Sequence, residues 1–219
     1  MTLKGFIFDF DGLILDTEMP GCKAWSELFN EHGFRFTLED WKKAIGTGPS
    51  AYDPASHLKE LTHGELDASL IRKQTLQRTR ELIEKETILP GVQKFIEDAH
   101  HAGLNMGVAS SSGRDWVEGY LEKLNLRDFF NSVCTADDVE KVKPDPELYQ
   151  VTARRLNLEP SEIIVFEDSP NGVRAARDAG MFCVAIPNEI TRSMDLSHAN
   201  LIFPSFETIE IPRLVDLLN

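Results

Sequence analysis

The sequence predicts an α/β fold: a doubly wound, Rossmann-like parallel sheet with an all-helical segment inserted after the first strand. Short apolar runs that end in polar loops recur along the chain, and helical patterns alternate with them from residue 92 onward. Residues 16–85 show helical spacing and loops without a strand pattern. Alternating strands and helices are typical of a parallel sheet with helices on both faces.

The elements follow in order. The first strand is predicted at residues 5–10, an apolar run that stops at Asp11 and Gly12. Within the helical segment, one helix is predicted to begin with Thr37 as N-cap and Asp40 at the third helical position. The later strands are predicted at 105–110, 132–135, 162–166, 182–186 and 200–203, and the helices between them at 92–102, 116–124, 147–156 and 171–179. We therefore expect a sheet domain made of residues 1–15 and 88–219, and a helical cap domain at residues 16–87.

Composition excludes several classes of protein. The net charge of −13 argues against a nucleic-acid partner, which requires a basic surface. No apolar run approaches the length of a membrane span, and Asp9 and Asp11 interrupt the first apolar run, so it does not resemble a secretory signal. The three cysteines, Cys22, Cys134 and Cys183, have neither zinc-site nor disulfide spacing and are predicted to be small buried residues. We expect a cytoplasmic monomer.

Pairs of carboxylates follow two of the predicted strands. Asp9 and Asp11 lie at the end of the first strand, where alternation of side chains would point them the same way. Glu167 and Asp168 follow the apolar run EIIVF. Loops at the carboxyl ends of parallel strands meet at one sheet edge, so these acids should converge. Because clustered acids are costly and Mg²⁺ prefers carboxylate and carbonyl oxygens, the pattern predicts a Mg²⁺ site.

Hydroxyl and amine groups are predicted at the same edge. Ser110, Ser111 and Ser112 follow the second strand and lead into a helix, and hydroxyls with helix N-terminal amides form anion sites. Lys143 precedes a proline-stiffened loop that could hold its amine nearby. Acids for a metal, with donors and one lysine for a phosphate, are the parts that phosphoryl transfer requires.

Four segments, in the right order and over nearly the whole chain, resemble the motifs of the haloacid dehalogenase superfamily. They are DFDGLILDTE at 9–18, ASSS at 109–112, KVKPDPELY at 141–149 and FEDSPNGVRAARDAG at 166–180. The inserted helices resemble the cap of the β-phosphoglucomutase-like subgroup, which includes many small-molecule phosphatases. The resemblance implies a Mg²⁺-dependent phosphatase that acts on a small phosphorylated metabolite, such as a sugar phosphate.

The resemblance also implies roles by position. Asp9 would attack phosphorus, and Asp11 would protonate the leaving oxygen and then activate water. Mg²⁺ would be held by Asp9, the main-chain carbonyl of Asp11 and Asp168, with Glu167 assisting directly or through water. Ser110, the main-chain amide of Ser111 and Lys143 would bind the phosphoryl group. Asp16 and Thr17 would lie at a hinge between sheet domain and cap.

Departures from the family pattern refine these expectations. Sugar-phosphate mutases of the subgroup carry a histidine in the first cap helix, where this chain has Gly21, so hydrolysis is favoured and a β-phosphoglucomutase-type mutase is the alternative. The cap turn GTGP at 46–49 lacks an obvious arginine. Arg72, Lys73 and Arg78 are possible substrate contacts, but an exposed position on a helix surface is favoured for each of them. The apolar spacing around Trp25 favours a core position.

Two other classes fit less well. A receiver domain also phosphorylates an aspartate on a doubly wound sheet, but it needs neither the second acid at Asp11 nor a helical insertion. Dehalogenases of the superfamily need no metal and lack the second aspartate.

Overall fold

A computed structural model gives the structure of residues 2–45 and 52–218, without the side chains of residues 217 and 218. Its centre is a six-stranded sheet in the order β3-β2-β1-β4-β5-β6, with every neighbouring pair parallel. The strands are β1 (Gly5–Phe8), β2 (Asn105–Ala109), β3 (Ser132–Cys134), β4 (Ile163–Glu167), β5 (Phe182–Ala185) and β6 (Leu201–Ile202). The order reverses beside β1, and the predicted doubly wound α/β fold is confirmed.

The helices of the described residues are α1 (Glu18–Glu31), α2 (Leu38–Lys42), α3 (Pro54–Leu61), α4 (Ala68–Ile83), α5 (Val92–His101), α6 (Arg114–Lys123), α7 (Glu147–Leu156), α8 (Pro170–Asp178) and α9 (Ile211–Leu218). Of these, α5, α6 and α9 pack on one face of the sheet, and α7 and α8 pack on the other. Side chains of β1 alternate between layers: Phe6 and Phe8 join the cluster with α5 and α6, whereas Ile7 joins the cluster with α7 and α8. Alternation along a strand thus supplies both halves of the core.

Helices α1–α4 contain a hydrophobic cluster of their own. Trp25, Phe29 and Leu58 are among its buried members. The chain leaves the sheet region and returns to it side by side, since Leu15 and Ile88 form an antiparallel bridge and Leu89 N donates to Ile14 O at 3.0 Å. These features agree with an insertion, while the division at residues 16–87 stays a prediction.

Local signals in the sequence account for several helix ends. Thr37 and Asp40 form the predicted capping box, in which each side chain accepts a hydrogen bond from the other's main-chain N–H. Helix α7 has its predicted bounds, and the other predicted helices in the sheet region begin or end within two residues of the observed ones. Strand β1 is shorter than predicted and ends at Phe8, which leaves Asp9 and Asp11 in the loop that follows.

Two expectations from composition can be compared with the structure. Cys134 and Cys183 are buried and Cys22 is half-buried, and all three are free. Within residues 2–45 and 52–218, no helix is long and apolar enough to cross a membrane.

Candidate active site

The predicted site residues meet at the carboxyl edge of the sheet. Asp9 follows β1, Ser110 follows β2 and Glu167 is the last residue of β4, so the three strands deliver them to neighbouring positions. Lys143 reaches the same point from the loop before α7. The convergence expected from the parallel topology is therefore present.

Lys143 links two carboxylates at the base of the site. Its Nζ lies 2.5 Å from Asp9 Oδ1 and 2.6 Å from Glu167 Oε1, and all three side chains are buried. Tyr149 is a second donor to Glu167, since its hydroxyl lies 2.5 Å from Oε1. The centre of its ring lies 5.1 Å from Lys143 Nζ. Burial opposes the charge of Lys143, but Asp9 and Glu167 outweigh it and raise the pKa of the ammonium above its usual value. Lys143 is thus held as a cation beside Asp9.

Glu167 is enclosed by donors on both oxygens. Its Oε2 accepts bonds from Asp168 N at 3.1 Å and from the main-chain N and hydroxyl of Ser169, each at 3.2 Å. Helix α8 approaches so closely that a Cβ on Gly172 would lie 1.8 Å from Oε1. The sequence alone does not reveal why residue 172 is glycine; the structure shows that the Glu167 carboxylate occupies that space.

Three buried acids form the candidate metal centre. Asp9, Glu167 and Asp168 each offer one carboxylate oxygen, all within 4.8 Å of one another. Burial, together with Glu167 and Asp11, raises the pKa of Asp9 to about 8 despite Lys143. Burial, Glu167 and Asp9 raise the pKa of Asp168 well above its usual value. One lysine does not neutralise this cluster, and a hard oxygen donor set with excess buried negative charge fits a divalent cation such as Mg²⁺.

Asn188, in the loop after β5, fixes the position of Asp168. Its Nδ2 donates to Asp168 Oδ2 at 2.7 Å and to Gly12 O at 3.2 Å. Its Oδ1 accepts from the main-chain N–H groups of Ile190 and Thr191, both at 2.9 Å, so the amide itself is held. Sequence reasoning missed Asn188, because no motif marks this loop.

Asp11 lies among donors that differ from those of Asp9. Its Oδ2 accepts hydrogen bonds from Ser110 Oγ at 3.1 Å and Ser112 Oγ at 2.7 Å, and its Oδ1 accepts one from Trp116 Nε1 at 2.9 Å. Alternation of side chains along β1 was predicted to point Asp9 and Asp11 the same way, but both residues lie beyond the end of β1, so that reason does not apply. Both nevertheless line the same cavity.

The serine loop places its hydroxyls unevenly. Ser110 is fully buried, and its Oγ also accepts a bond from Ser112 N at 3.0 Å. Ser111 and Ser112 line the cavity. Within the described residues, the buried Ser111 hydroxyl has no hydrogen-bond partner. An unpaired buried hydroxyl beside a helix N-terminus is suited to an anionic ligand.

A cavity of about 740 Å³ opens above these groups. Its floor contains Asp9, Asp11, Lys143 and Asp168, and its roof comes from the inserted helices. The roof residues include two tryptophans and a polar stripe on α4, namely Trp25, Trp41, Arg72, Thr75, Thr79 and Arg80. The volume suits a small organic molecule.

The first turn of α1 differs from the pattern that the mutases carry. Trp41 Nε1 donates to Glu18 Oε2 at 2.9 Å, and a Cβ on Gly21 would lie 2.8 Å from Trp41 Cζ2. The Trp41 indole therefore fills the space that a larger side chain at position 21 would need. Burial and the nearby charge of Asp11 raise the pKa of Glu18 to about 8, although the bond from Trp41 opposes this.

The candidate substrate contacts are distributed unevenly. Arg72 lines the cavity and is paired with Asp53, whereas Arg78 pairs with Glu31 at 2.7 Å and lies outside the cavity lining. Lys73 is exposed and also lies outside the lining. Arg80 lines the cavity but was not singled out from the sequence.

Trp25 is buried in the cluster of the inserted helices, as its spacing favoured, and also lines the cavity. The turn at 46–49 lies outside the described residues.

Asp16 and Thr17 lie between the sheet region and α1. Asp16 Oδ1 accepts hydrogen bonds from Glu18 N and Met19 N, both at 3.1 Å, and thereby caps the start of α1. Thr17 is buried and lines the cavity. Their role as a hinge stays a prediction.

Comparisons with known proteins agree with this geometry. The family model described as "Haloacid dehalogenase-like hydrolase" matches residues 6–186. The Bacillus subtilis (strain 168) protein named "Putative phosphatase YhcW" is 41% identical over 217 residues, covering 99% of this chain and 98% of that protein. "Fructose-1-phosphate phosphatase YqaB" of Escherichia coli (strain K12) is 32% identical over 183 residues, covering 83% of this chain and 95% of that protein.

Among solved structures, the β-phosphoglucomutase of Clostridium difficile has a TM-score of 0.81 and 25% identity, and the match covers 100% of this chain and 98% of that one. The similarity thus extends over the sheet and the inserted helices together. On these grounds the chain belongs to the haloacid dehalogenase-like hydrolases, within the β-phosphoglucomutase-like subgroup.

Proposed function

We propose that this hydrolase is a Mg²⁺-dependent phosphatase that acts on small phosphomonoesters through an aspartyl-phosphate on Asp9. The supporting observation is the buried arrangement in which Lys143 holds Asp9 at the floor of a cavity of about 740 Å³. A carboxylate beside a fixed cation can attack phosphorus while that cation offsets the charge of the phosphoryl group.

The reaction divides into two displacements. In the first, a carboxylate oxygen of Asp9 bonds to phosphorus, the ester P–O bond breaks, and Asp11 gives a proton to the leaving oxygen. In the second, Asp11 takes a proton from water as the water oxygen bonds to phosphorus, and the bond from Asp9 breaks to release phosphate. The product is an alcohol and inorganic phosphate, and both carboxylates return to their initial state.

The surrounding residues bind and orient the reacting groups. Asp9, Asp168 and the main-chain carbonyl of Asp11 would hold Mg²⁺, which supplies charge neutralisation at the phosphoryl oxygens when bound. Because donors surround both oxygens of Glu167, we assign it to orienting Lys143 and assisting the metal through water.

The phosphoryl oxygens need donors of their own. The unpaired hydroxyl of Ser111 and its main-chain amide are suited to this binding, together with Lys143. Ser110 is fully buried and donates a hydrogen bond to Asp11. We therefore expect it to orient Asp11 as well as to bind a phosphoryl oxygen directly.

The relatives suggest the substrate class. YqaB is named for fructose 1-phosphate, and this chain is similar to it over most of its length. We propose a sugar phosphate or similar metabolite as substrate. We also propose that the protein is a monomer, which size-exclusion chromatography tests, and that it is cytoplasmic, which cell fractionation tests.

The alternative is a β-phosphoglucomutase-type mutase, which shares the residues at the sheet edge. The packing of Trp41 against Gly21 argues against it, because the histidine expected for mutases has no space there. A mutase would interconvert sugar phosphates when primed by a bisphosphate, without net release of phosphate.

A panel of phosphorylated metabolites and p-nitrophenyl phosphate, assayed with and without Mg²⁺, tests the proposal. We expect phosphate release that depends on Mg²⁺ and is abolished in Asp9→Asn, which keeps the size of the side chain. Parental rates in that variant would exclude Asp9 as nucleophile, and interconversion without phosphate release would favour the mutase.

A further inference from the structure

The indole of Trp116 reaches Asp11 from α6, the helix that follows the serine loop. Its Nε1 donates to Asp11 Oδ1 at 2.9 Å, and both residues line the cavity. No motif in the sequence marks Trp116, and its contact spans more than one hundred positions along the chain. The other oxygen, Oδ2, is held by hydroxyls of Ser110 and Ser112.

The indole is itself held from two sides. The Tyr120 ring, one turn further along α6, meets it edge to face with ring centres 4.9 Å apart. The guanidinium carbon of Arg80, on α4 of the inserted helices, lies 5.9 Å from the centre of the Trp116 ring, within the range of a cation–π contact. The direction of the N–H is therefore set by contacts from both parts of the chain.

The three donors to Asp11 differ in chemistry. An indole N–H only donates, whereas a serine hydroxyl either donates or accepts. When Asp11 is protonated, the hydroxyls at Oδ2 can turn to accept its O–H, but the indole at Oδ1 cannot. The arrangement thus directs the acidic proton to Oδ2 and fixes the plane of the carboxyl group.

We propose that Trp116 is a positioning residue for Asp11, which it orients so that the acid delivers its proton to the leaving oxygen. The inference rests on the proposed function, in which Asp11 is the general acid. A misoriented acid costs most where the leaving oxygen needs a proton, and little where the leaving group departs as a stable anion.

Trp116→Phe keeps an aromatic ring and removes the donor. The test compares kcat/KM for phenyl phosphate and p-nitrophenyl phosphate, whose leaving groups are alike in shape but differ in their need for protonation. Because kcat/KM reports events up to departure of the leaving group, later hydrolysis of the aspartyl-phosphate does not obscure the result. We expect a loss of about tenfold for phenyl phosphate, the upper end of what one ordinary hydrogen bond contributes, and less than about threefold for p-nitrophenyl phosphate.

Two further variants make the outcome decisive. Tyr120→Phe keeps the ring contact with Trp116 and should leave the ratio of the two kcat/KM values unchanged. Asp11→Asn should show the same selective loss as Trp116→Phe, but larger. Circular dichroism checks folding, and Trp116→Leu, which also lacks a donor, replaces the phenylalanine variant if that one is unfolded.

The failures are distinguishable. If Asp11→Asn loses activity selectively while Trp116→Phe loses it equally for both substrates or not at all, the positioning role is wrong and the proposed function stands. If Asp11→Asn itself shows no selectivity, the general-acid role of Asp11 is wrong. If the parent protein hydrolyses neither these esters nor any member of the metabolite panel, the phosphatase proposal fails.

Discussion

Replacing Gly172 with alanine should destabilise the protein, although helix propensity alone predicts the opposite. Alanine is more favourable than glycine within helices by about 1 kcal/mol. A Cβ on residue 172, however, would lie 1.8 Å from Glu167 Oε1 and 2.1 Å from Oε2. The carboxylate is buried against the start of α8 and has no solvent to move into.

The size of this destabilisation can be worked out from the distances around Glu167. Ordinary contact begins near 3.4 Å, so the Glu167 carboxylate must retreat by about 1.6 Å. The bonds of 2.6 Å from Lys143 and 2.5 Å from Tyr149 do not survive such a shift. A hydrogen bond to a charged group contributes about 1.5–3 kcal/mol, so we expect the free energy of unfolding to fall by about 3 kcal/mol. For a chain of this size, that lowers Tm by about 6–12 °C.

Urea unfolding followed by circular dichroism, together with phosphatase assays, measures the effect. Activity should also fall, because Lys143 loses one of the two carboxylates that hold it. Gly119→Ala in α6 is the matched control: its Cβ would have no atom within 4 Å, and we expect a gain of about 0.5–1 kcal/mol. If Gly172→Ala were as stable and active as Gly119→Ala, the close packing of Glu167 against α8 would be wrong.

Three further predictions concern other residues. The pKa of Glu18, raised by burial to about 8, means that the folded state binds its proton more tightly than the unfolded state, so stability falls as pH rises from about 4.5 towards 8. Glutamine does not titrate, so the free energy of unfolding of Glu18→Gln should not show this fall. Its advantage over the parent should grow by on the order of 3 kcal/mol from pH 5 to pH 8, measured by urea titration in the presence of a chelator. A difference between the two proteins that is independent of pH would contradict this. Asn188→Ala frees Asp168 and should weaken Mg²⁺ binding about tenfold or more in calorimetric titrations, whereas unchanged affinity would remove Asn188 from the site. Thr37→Ala breaks the capping box of α2 and should lower the free energy of unfolding by about 1 kcal/mol, with Thr37→Ser recovering most of the loss.

Local pattern was enough to predict most of the fold. The apolar periodicity of α7 and the proline before it define both ends of that helix. Strand ends were less predictable: the apolar run of β1 continues to Phe10, but pairing with β2 and β4 ends at Phe8. Pairing depends on where neighbouring strands stop, and a single apolar run does not contain that information.

The candidate site was predictable where residues stand at strand ends or within a family motif. Topology alone brings Asp9 and Glu167 together, and the motif places Lys143 with them. Trp116 and Asn188 were missed because each contacts a carboxylate distant in sequence, and an isolated tryptophan or asparagine has many structural uses. Such residues become visible only when the hydrogen-bond partners of each buried carboxylate are known.

The chain leaves the sheet region at Leu15 and returns at Ile88, and these two residues are neighbours, so the helical segment is attached to the sheet at one place. An inserted segment with closely spaced ends can be replaced by another of different length without altering any strand of the sheet. Under the proposed function, in which the strand ends carry the chemistry and the cavity roof contacts the substrate, we expect these two properties to diverge separately. Chimaeras that keep the sheet and replace the segment between these two residues are a direct route to new substrate ranges.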